Sequence, residues 1–275
     1  MSFTTADVVK LRKVTGAGMM DCKGALADAD GNFERAVEII REKGKLVANK
    51  RADRDAAEGV VLAKVSDDRK FGAMVVLNCE TDFVAKNENF IAFAENILNA
   101  AIANSADSLD TVKGIMLDGR TIGDQVTEQT GVIGEKIELS YYSKINAETV
   151  VGYIHPGNKL ATLVGFNQAG VDIQVTKDVA MQVAAMAPVA VDKDSVSQEV
   201  VEKELAIAKE KFRLEGKPEA MLDKIAQGAL HKFFQESTLL NQTFVKDGKI
   251  SVKEYLTQNN KGLTVTAFDR YSLNV

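Results

Sequence analysis

The chain has 275 residues, of which 45% are hydrophobic and 27% charged, with 34 Lys and Arg against 39 Asp and Glu. This composition excludes a collagen-like repeat, an intrinsically disordered chain and a disulfide scaffold, and the length fits two or three domains of ordinary size. A formal charge of −5 argues against a surface that grips nucleic acid everywhere, while leaving room for a local basic patch. The opening MSFTTADVVKLRK has neither a charged n-region nor a continuous apolar stretch, so it does not read as a secretory signal. No run of about eighteen apolar residues is present to span a membrane. Cys22 and Cys79 lie too far apart to form a metal-type pair, and a reducing cytoplasm is the simplest compartment.

Residues 1–54 read as a small three-helix domain. Thr5 is placed as the N-cap of a first helix bearing Val8, Val9 and Leu11, which Gly16 and Gly18 break. A second helix carries Met19, Met20, Cys22, Ala25 and Leu26 and stops at Asp30-Gly31. Asn32 caps a third, with Phe33, Ala36, Val37 and Ile40 on one face and Gly44 as its end. This segment has eleven basic and eight acidic residues, so the acidity lies in the remainder. Lys45 to Ala57, rich in Ala and alternating charge, is expected to be a linker, with a helical form left open.

The pattern then changes to strands. Residues 59–65 and 71–79 are apolar and partly β-branched, with a polar turn between them. A helix follows with Phe90, Phe93, Ala94, Ile97, Leu98 and Ala101 on one stripe, and strand character returns near Lys136–Tyr142. A similar order recurs: strand 149–154, turn His155-Pro156-Gly157-Asn158, strand 160–166, and a helix capped at Thr176 and ended at Pro188. The expected class is α+β, with two related core subdomains (55–145 and 146–275), because hairpin connections this short join antiparallel strands. The second copy carries an insertion at about 195–236. Ser195-x-x-Gln198 reads as a capping box, and two helices with narrow apolar seams flank Gly216-Lys217-Pro218. We expect this hairpin to project from the body, the alternative being two ordinary packed helices. A short helix at 253–259 and a last strand at 263–273 complete the chain.

No Gly-rich phosphate cradle is present, since each Gly-Lys pair lacks the upstream Gly, and no strand is followed by G-x-G-x-x-G. The two histidines, His155 and His231, show no metal spacing. A nucleophilic Cys79–His155 pair can be imagined, but Cys79 ends an apolar strand, and a buried inert thiol is the favoured reading. The segment Thr81-Asp82-Phe83-Val84-Ala85-Lys86-Asn87 lies between a buried strand and an amphipathic helix. Spacing alone leaves two readings open: Asp82 as an N-cap and Phe83 as a hydrophobic staple for that helix, or an acid and an aromatic held at a rigid tip for a partner. Met19 and Met20 follow a glycine-rich turn and cannot both face a tiny core, so at least one should be exposed.

Two segments carry a resemblance. Leu11-Arg12-x-x-Thr15-Gly16-Ala17-Gly18-Met19-Met20-Asp21-Cys22-Lys23 closely resembles the amino-terminal signature of the bacterial elongation factor Ts family, and Asn78-Cys79-Glu80-Thr81-Asp82-Phe83-Val84-Ala85-Lys86-Asn87 its second signature. The family usually has Pro where Thr243 stands, and contacts of the extra carboxy-terminal helix of some members are not carried over. The resemblance implies no covalent chemistry and no cofactor, and a cytoplasmic guanine-nucleotide exchange factor for elongation factor Tu. It implies that Lys10, Arg12, Met19 and Met20 of the head dock on the partner. It further implies that Thr81, Asp82, Phe83 and Val84 disturb the partner's magnesium site, with His155 contacting the same domain. No direct nucleic-acid or membrane partner is implied, and a dimer of factor–partner heterodimers is one arrangement it allows.

Overall fold

The computed structural model describes residues 3–273. Three helices come first: α1 (Thr5–Thr15), α2 (Met19–Asp28) and α3 (Phe33–Lys50). Strands β1 (Glu58–Val65) and β2 (Phe71–Cys79) follow, then α4 (Asp82–Ala85), α5 (Glu88–Ala103) and α6 (Leu109–Gly114). A two-residue ribbon of β3 (Met116–Leu117) and β4 (Arg120–Thr121) leads into α7 (Ile122–Ile133) and β5 (Glu138–Asn146). The second half runs β6 (Thr149–Ile154), β7 (Leu160–Phe166), α8 (Ile173–Met186), a 3-10 turn at Lys193–Ser195, α9 (Gln198–Leu214) and α10 (Glu219–Ser237). It closes with β8 (Thr243–Phe244), β9 (Asp247–Ser251), α11 (Val252–Asn259) and β10 (Val265–Ser272).

Two three-stranded antiparallel sheets, ordered β1-β2-β5 and β10-β7-β6, form the body, so the α+β class with paired antiparallel sheets is observed. They pack face to face through Val61, Met74, Val76, Ile145, Val150 and Leu163. The outer face of the first sheet (Val60, Leu62, Val75, Leu77) is covered by Phe90, Ile97 and Leu98 of α5 and Ile122 of α7. The outer face of the second (Val164, Phe166) is covered by Val179 and Val183 of α8 and Leu256 of α11. Every residue of β2 is buried. A strand with a period of two must then be apolar on both faces, which is why 71–79 reads as a continuous apolar run instead of an alternating one.

Several expected helix ends differ. The cap of α1 is Thr4 rather than Thr5, because Thr4 and Asp7 form a reciprocal capping box with the Thr4 N–H donating to the Asp7 carboxylate at 2.8 Å. Gly16, at φ 73°, closes α1 in the left-handed conformation. Asp172, not Thr176, caps α8: its carboxylate accepts from the N–H of Gln174 at 2.7 Å, while Thr176 is buried inside the helix. Ser195 belongs to a capping box with Asp192, and Ser197 caps α9. Gly44 does not end α3. It lies against Gly131 of α7, where an added Cβ on Gly131 would sit 2.2 Å from the Gly44 Cα. Glycine permits two helix backbones to touch, so α3 runs on to Lys50 and takes up half of the expected linker. The crossing is flanked by Glu128 of α7, which pairs with Arg41 of α3 at 3.5 Å and with Arg120.

The helices α9 and α10 pack on each other and scarcely on the body. Only Ala208, Leu222, Ala226 and Leu230 of this pair are buried, and ion pairs Lys209–Asp223 and Arg213–Glu219, both at 2.5 Å, tie the arms together. At about 1.5 Å per residue the arms reach roughly 25–29 Å, so the hairpin projects.

The Gly131 contact predicts opposite outcomes for one substitution at two helical glycines. Gly131→Ala should destabilise by about 1–3 kcal/mol, because backbone must move. Gly228→Ala, exposed on α10 with open space beside it, should stabilise by about 0.5–1 kcal/mol. Urea denaturation of the two variants measures both.

Candidate functional site

Strand β2 delivers the chain to one end of the first sheet, and α4 follows after two residues. Thr81 caps this single turn, its hydroxyl accepting from the Val84 N–H at 3.5 Å. Ala85 is buried and Val84 packs on the core of the first sheet. Successive helical residues are rotated by about 100°, so Phe83 cannot face the same core. It is 83% exposed. Its neighbour Asp82 accepts an ion-paired hydrogen bond from Lys86 Nζ at 2.6 Å, which holds the Asp82 carboxyl below, and the Lys86 ammonium above, their ordinary ranges.

The turn beneath Phe83 is tied from both sides. The Thr81 N–H and hydroxyl donate to the Glu135 carboxylate at 3.0 and 2.7 Å. In return, the Lys136 N–H donates to the Glu80 carboxylate at 2.6 Å, and Arg51, just past α3, adds an ion pair at 2.7 Å. The Lys136 N–H first, and Arg51 second among the favourable partners, hold the Glu80 carboxyl below its usual range.

Face-to-face packing of the sheets brings the β6–β7 turn beside this tip. A cleft of about 390 Å³ opens there, lined by Asp82, Ala85 and Lys86 from the tip, His155 and Lys159 from the turn, and Arg270 from β10. His155 is exposed and its Nδ1 lies 3.0 Å from the Tyr153 hydroxyl. The fold thus brings Asp82 and His155, far apart in sequence, to one rim. Lys159, paired with Glu58 at 2.8 Å, and Arg270 were not anticipated, and neither lies in a motif whose spacing marks it. The four head residues line no part of this cleft. Met20 (76% exposed) and Met19 stand at the start of α2, where Gly18 caps without a side chain. Arg12 is exposed, and Lys10 Nζ sits 4.8 Å from the centre of the Phe33 ring.

The Cys79 thiol is buried and donates to the Thr81 carbonyl at 3.1 Å. Burial pushes it up to about 12, so no thiolate is available at neutral pH, and the imagined pair with His155 gains no support. Among the described residues no group of three or more His, Cys, Asp or Glu could hold a metal ion, and no helix is long and apolar enough to cross a membrane.

A protein-family model described as "Elongation factor TS" matches residues 80–274. The curated elongation factor Ts of Porphyromonas gingivalis is 52% identical over 275 residues, covering 100% of this chain and 99% of the relative. That of Azobacteroides pseudotrichonymphae is 50% identical with full coverage of both, and that of Amoebophilus asiaticus 51% identical with 98% of each covered. The chain belongs to the elongation factor Ts family. It is therefore a translation elongation factor, and the exposed acid–aromatic tip lies inside the segment that the elongation factor Ts model matches.

The buried thiols give a measurable expectation. A thiol reagent at about pH 8 should label neither Cys22 nor Cys79 until denaturant opens the fold. Because the folded thiol at position 79 titrates higher than its usual 9.0, its contribution to stability is complete below about pH 9 and is lost as pH rises toward about 12. Chemical denaturation of the native chain and a Cys79→Ala variant across that window should converge at the alkaline end.

Proposed function

We propose that this chain is a guanine-nucleotide exchange factor for elongation factor Tu, acting through the tip at Thr81, Asp82, Phe83 and Val84. The observation that carries the reading is Phe83. A large apolar side chain stands 83% exposed on a turn that hydrogen bonds hold on both sides. Burying a Phe side chain is worth about 1.5–3 kcal/mol, so this ring is a driving force held in reserve for a partner. The cleft beside it adds Asp82 and His155 to the same approach.

In this mechanism the guanine pocket belongs to the partner. Lys10, Arg12, Met19 and Met20 dock the three-helix head on the partner's nucleotide-binding domain, and the tip enters beside its magnesium site. Wedging an aromatic ring moves the elements that hold magnesium and phosphates, and lost coordination removes charge compensation from the diphosphate. Binding linkage then requires that a factor which weakens GDP by some ratio be weakened by GDP in the same ratio. GTP refills the site and expels the factor. No bond is made or broken by this chain. We assign the head to residues 1–54 and the two parts of the body to 55–145 and 146–275, with the hairpin as an inserted arm.

Phe83→Ala should slow stimulated GDP release by about tenfold or more, as for a central aromatic anchor, and should change folding stability by less than about 0.5 kcal/mol. Asp82→Ala should lower the release rate more than the affinity for the partner. Stopped-flow release of fluorescent GDP from elongation factor Tu reads both. An unchanged rate in Phe83→Ala would end the wedge mechanism, and equal losses of rate and affinity in Asp82→Ala would reduce the carboxylate to a docking contact.

A further inference from the structure

The tip is fastened by a reciprocal exchange of carboxylates and backbone. Glu80 receives the N–H of Lys136, and Glu135, the residue before Lys136, receives the N–H and hydroxyl of Thr81. Each segment therefore caps the other. The far side of the clasp is the connection between α7 and β5, and α7 is the helix that α3 crosses at Gly44 and Gly131. Arg51, at the end of α3, closes a second route: it reaches Glu80 directly at 2.7 Å, Arg54 approaches the other carboxylate oxygen at 3.8 Å, and Lys136 Nζ donates to the Arg54 carbonyl at 3.1 Å. Both routes run from the head to the base of Phe83. Most of the groups involved are sheltered: the side chain of Glu80 is 15% exposed and that of Arg51 29%.

We infer that Arg51, Glu80 and Glu135 are positioning residues that lock the head and the acid–aromatic tip into one rigid body, so that docking of the head delivers Phe83 at a fixed angle. The inference rests on the exchange reading above. Without the clasp, Thr81 loses its ties to the α7–β5 connection and keeps only bonds within its own segment, to Val84, Ala85 and Cys79. The single helical turn α4 is then held to the body by the packing of Val84 and Ala85, and its angle is less fixed. The head would still bind, because Lys10, Arg12, Met19 and Met20, the residues assigned to docking, take no part in the clasp. The expected signature is therefore a loss in maximal rate with little change in the concentration needed to reach half of it. A misplacement of about 1 Å in a positioning element can cost up to about a hundredfold in rate, so a loss of about tenfold is a moderate expectation. A group that acted only by holding the fold would instead lower the melting temperature and the fraction of active protein, leaving the rate per folded molecule intact.

The test is stopped-flow release of fluorescent GDP from elongation factor Tu, titrated with the full chain carrying Glu135→Ala, Glu135→Gln, Arg51→Ala or Arg51→Lys, beside Phe83→Ala. Thermal melts fix the folded fraction of each. Glu135→Ala should lower the plateau rate about tenfold and Arg51→Ala about threefold, with half-saturation within about twofold of the native chain. Glu135→Gln keeps one acceptor for Thr81 and Arg51→Lys keeps the charge, so both should recover at least half of the lost rate. Native plateau rates in Glu135→Ala and Arg51→Ala, or a loss confined to half-saturation, would overturn the inference. If Phe83→Ala is slow while the clasp variants are not, only the clasp fails. If Phe83→Ala is itself unimpaired, the tip reading fails with it.

Discussion

The structure turns on β2, a strand buried from end to end between a second sheet and a layer of helices. Met74 and Val76 face the β6–β7 side, and Ala73, Val75 and Leu77 face α5. A strand enclosed on both faces cannot slip by one residue without sending its whole apolar set to the wrong neighbours, and the register with β1 and β5 is fixed accordingly. Whatever follows Cys79 therefore starts from an immobile point. Phe83 is the fourth residue beyond Cys79 and faces water. Rigidity beneath and exposure above are the conditions under which an apolar group can be spent on another protein instead of on its own core.

The same packing explains why the site has two sides. The sheet that carries the tip and the sheet that carries His155 share the core of Val61, Val150 and Leu163, so the cleft between Asp82 and His155 is an edge of the interior itself. The head reaches this body through a crossing that only glycine allows. With Gly44 and Gly131 in contact, α3 continues past its expected end and places Arg51 on Glu80. In the proposed exchange reaction, docking and insertion thus belong to one lever, while the projecting α9–α10 hairpin is attached only at its root and lies outside that path.

Regular elements with strong apolar periodicity were legible in the sequence. The two strand pairs, the α5 stripe, the helical hairpin and the three helices of the head all follow from spacing and turn residues. What failed to show were choices that depend on contacts distant in sequence. Gly44 reads as a stop signal because its use, a backbone touching Gly131, involves a residue far along the chain. The α6–α7 region shows no clear apolar period, because Ile122–Ile133 is rich in Thr, Gln and Gly and takes its helical form from the Thr121 cap and its packing on α3. Thr176 and Ser195 are sound cap types, yet Asp172 and Ser197 stand nearer the actual starts. In the site, the tip motif itself was readable, but the local reading could not choose between a staple and an anchor. Phe83 is exposed and so does not staple the helix entry, and Asn87, not Asp82, caps the amphipathic helix α5, while Thr81 caps only the short turn before it. The Glu80–Glu135 clasp and the basic lining by Lys159 and Arg270 leave no periodic trace, since their partners are brought together only by the folded sheets.

The central claim is that this chain opens a guanine pocket on another molecule. The most direct measurement is the release of fluorescent GDP from purified elongation factor Tu as the concentration of this chain is raised, together with the affinity of the two proteins with and without GDP. The account predicts a release rate that climbs to a plateau, and a protein–protein affinity that GDP weakens by the same ratio in which the chain weakens GDP. A release rate that stays at its spontaneous value at every concentration, while the two proteins still bind, would contradict it.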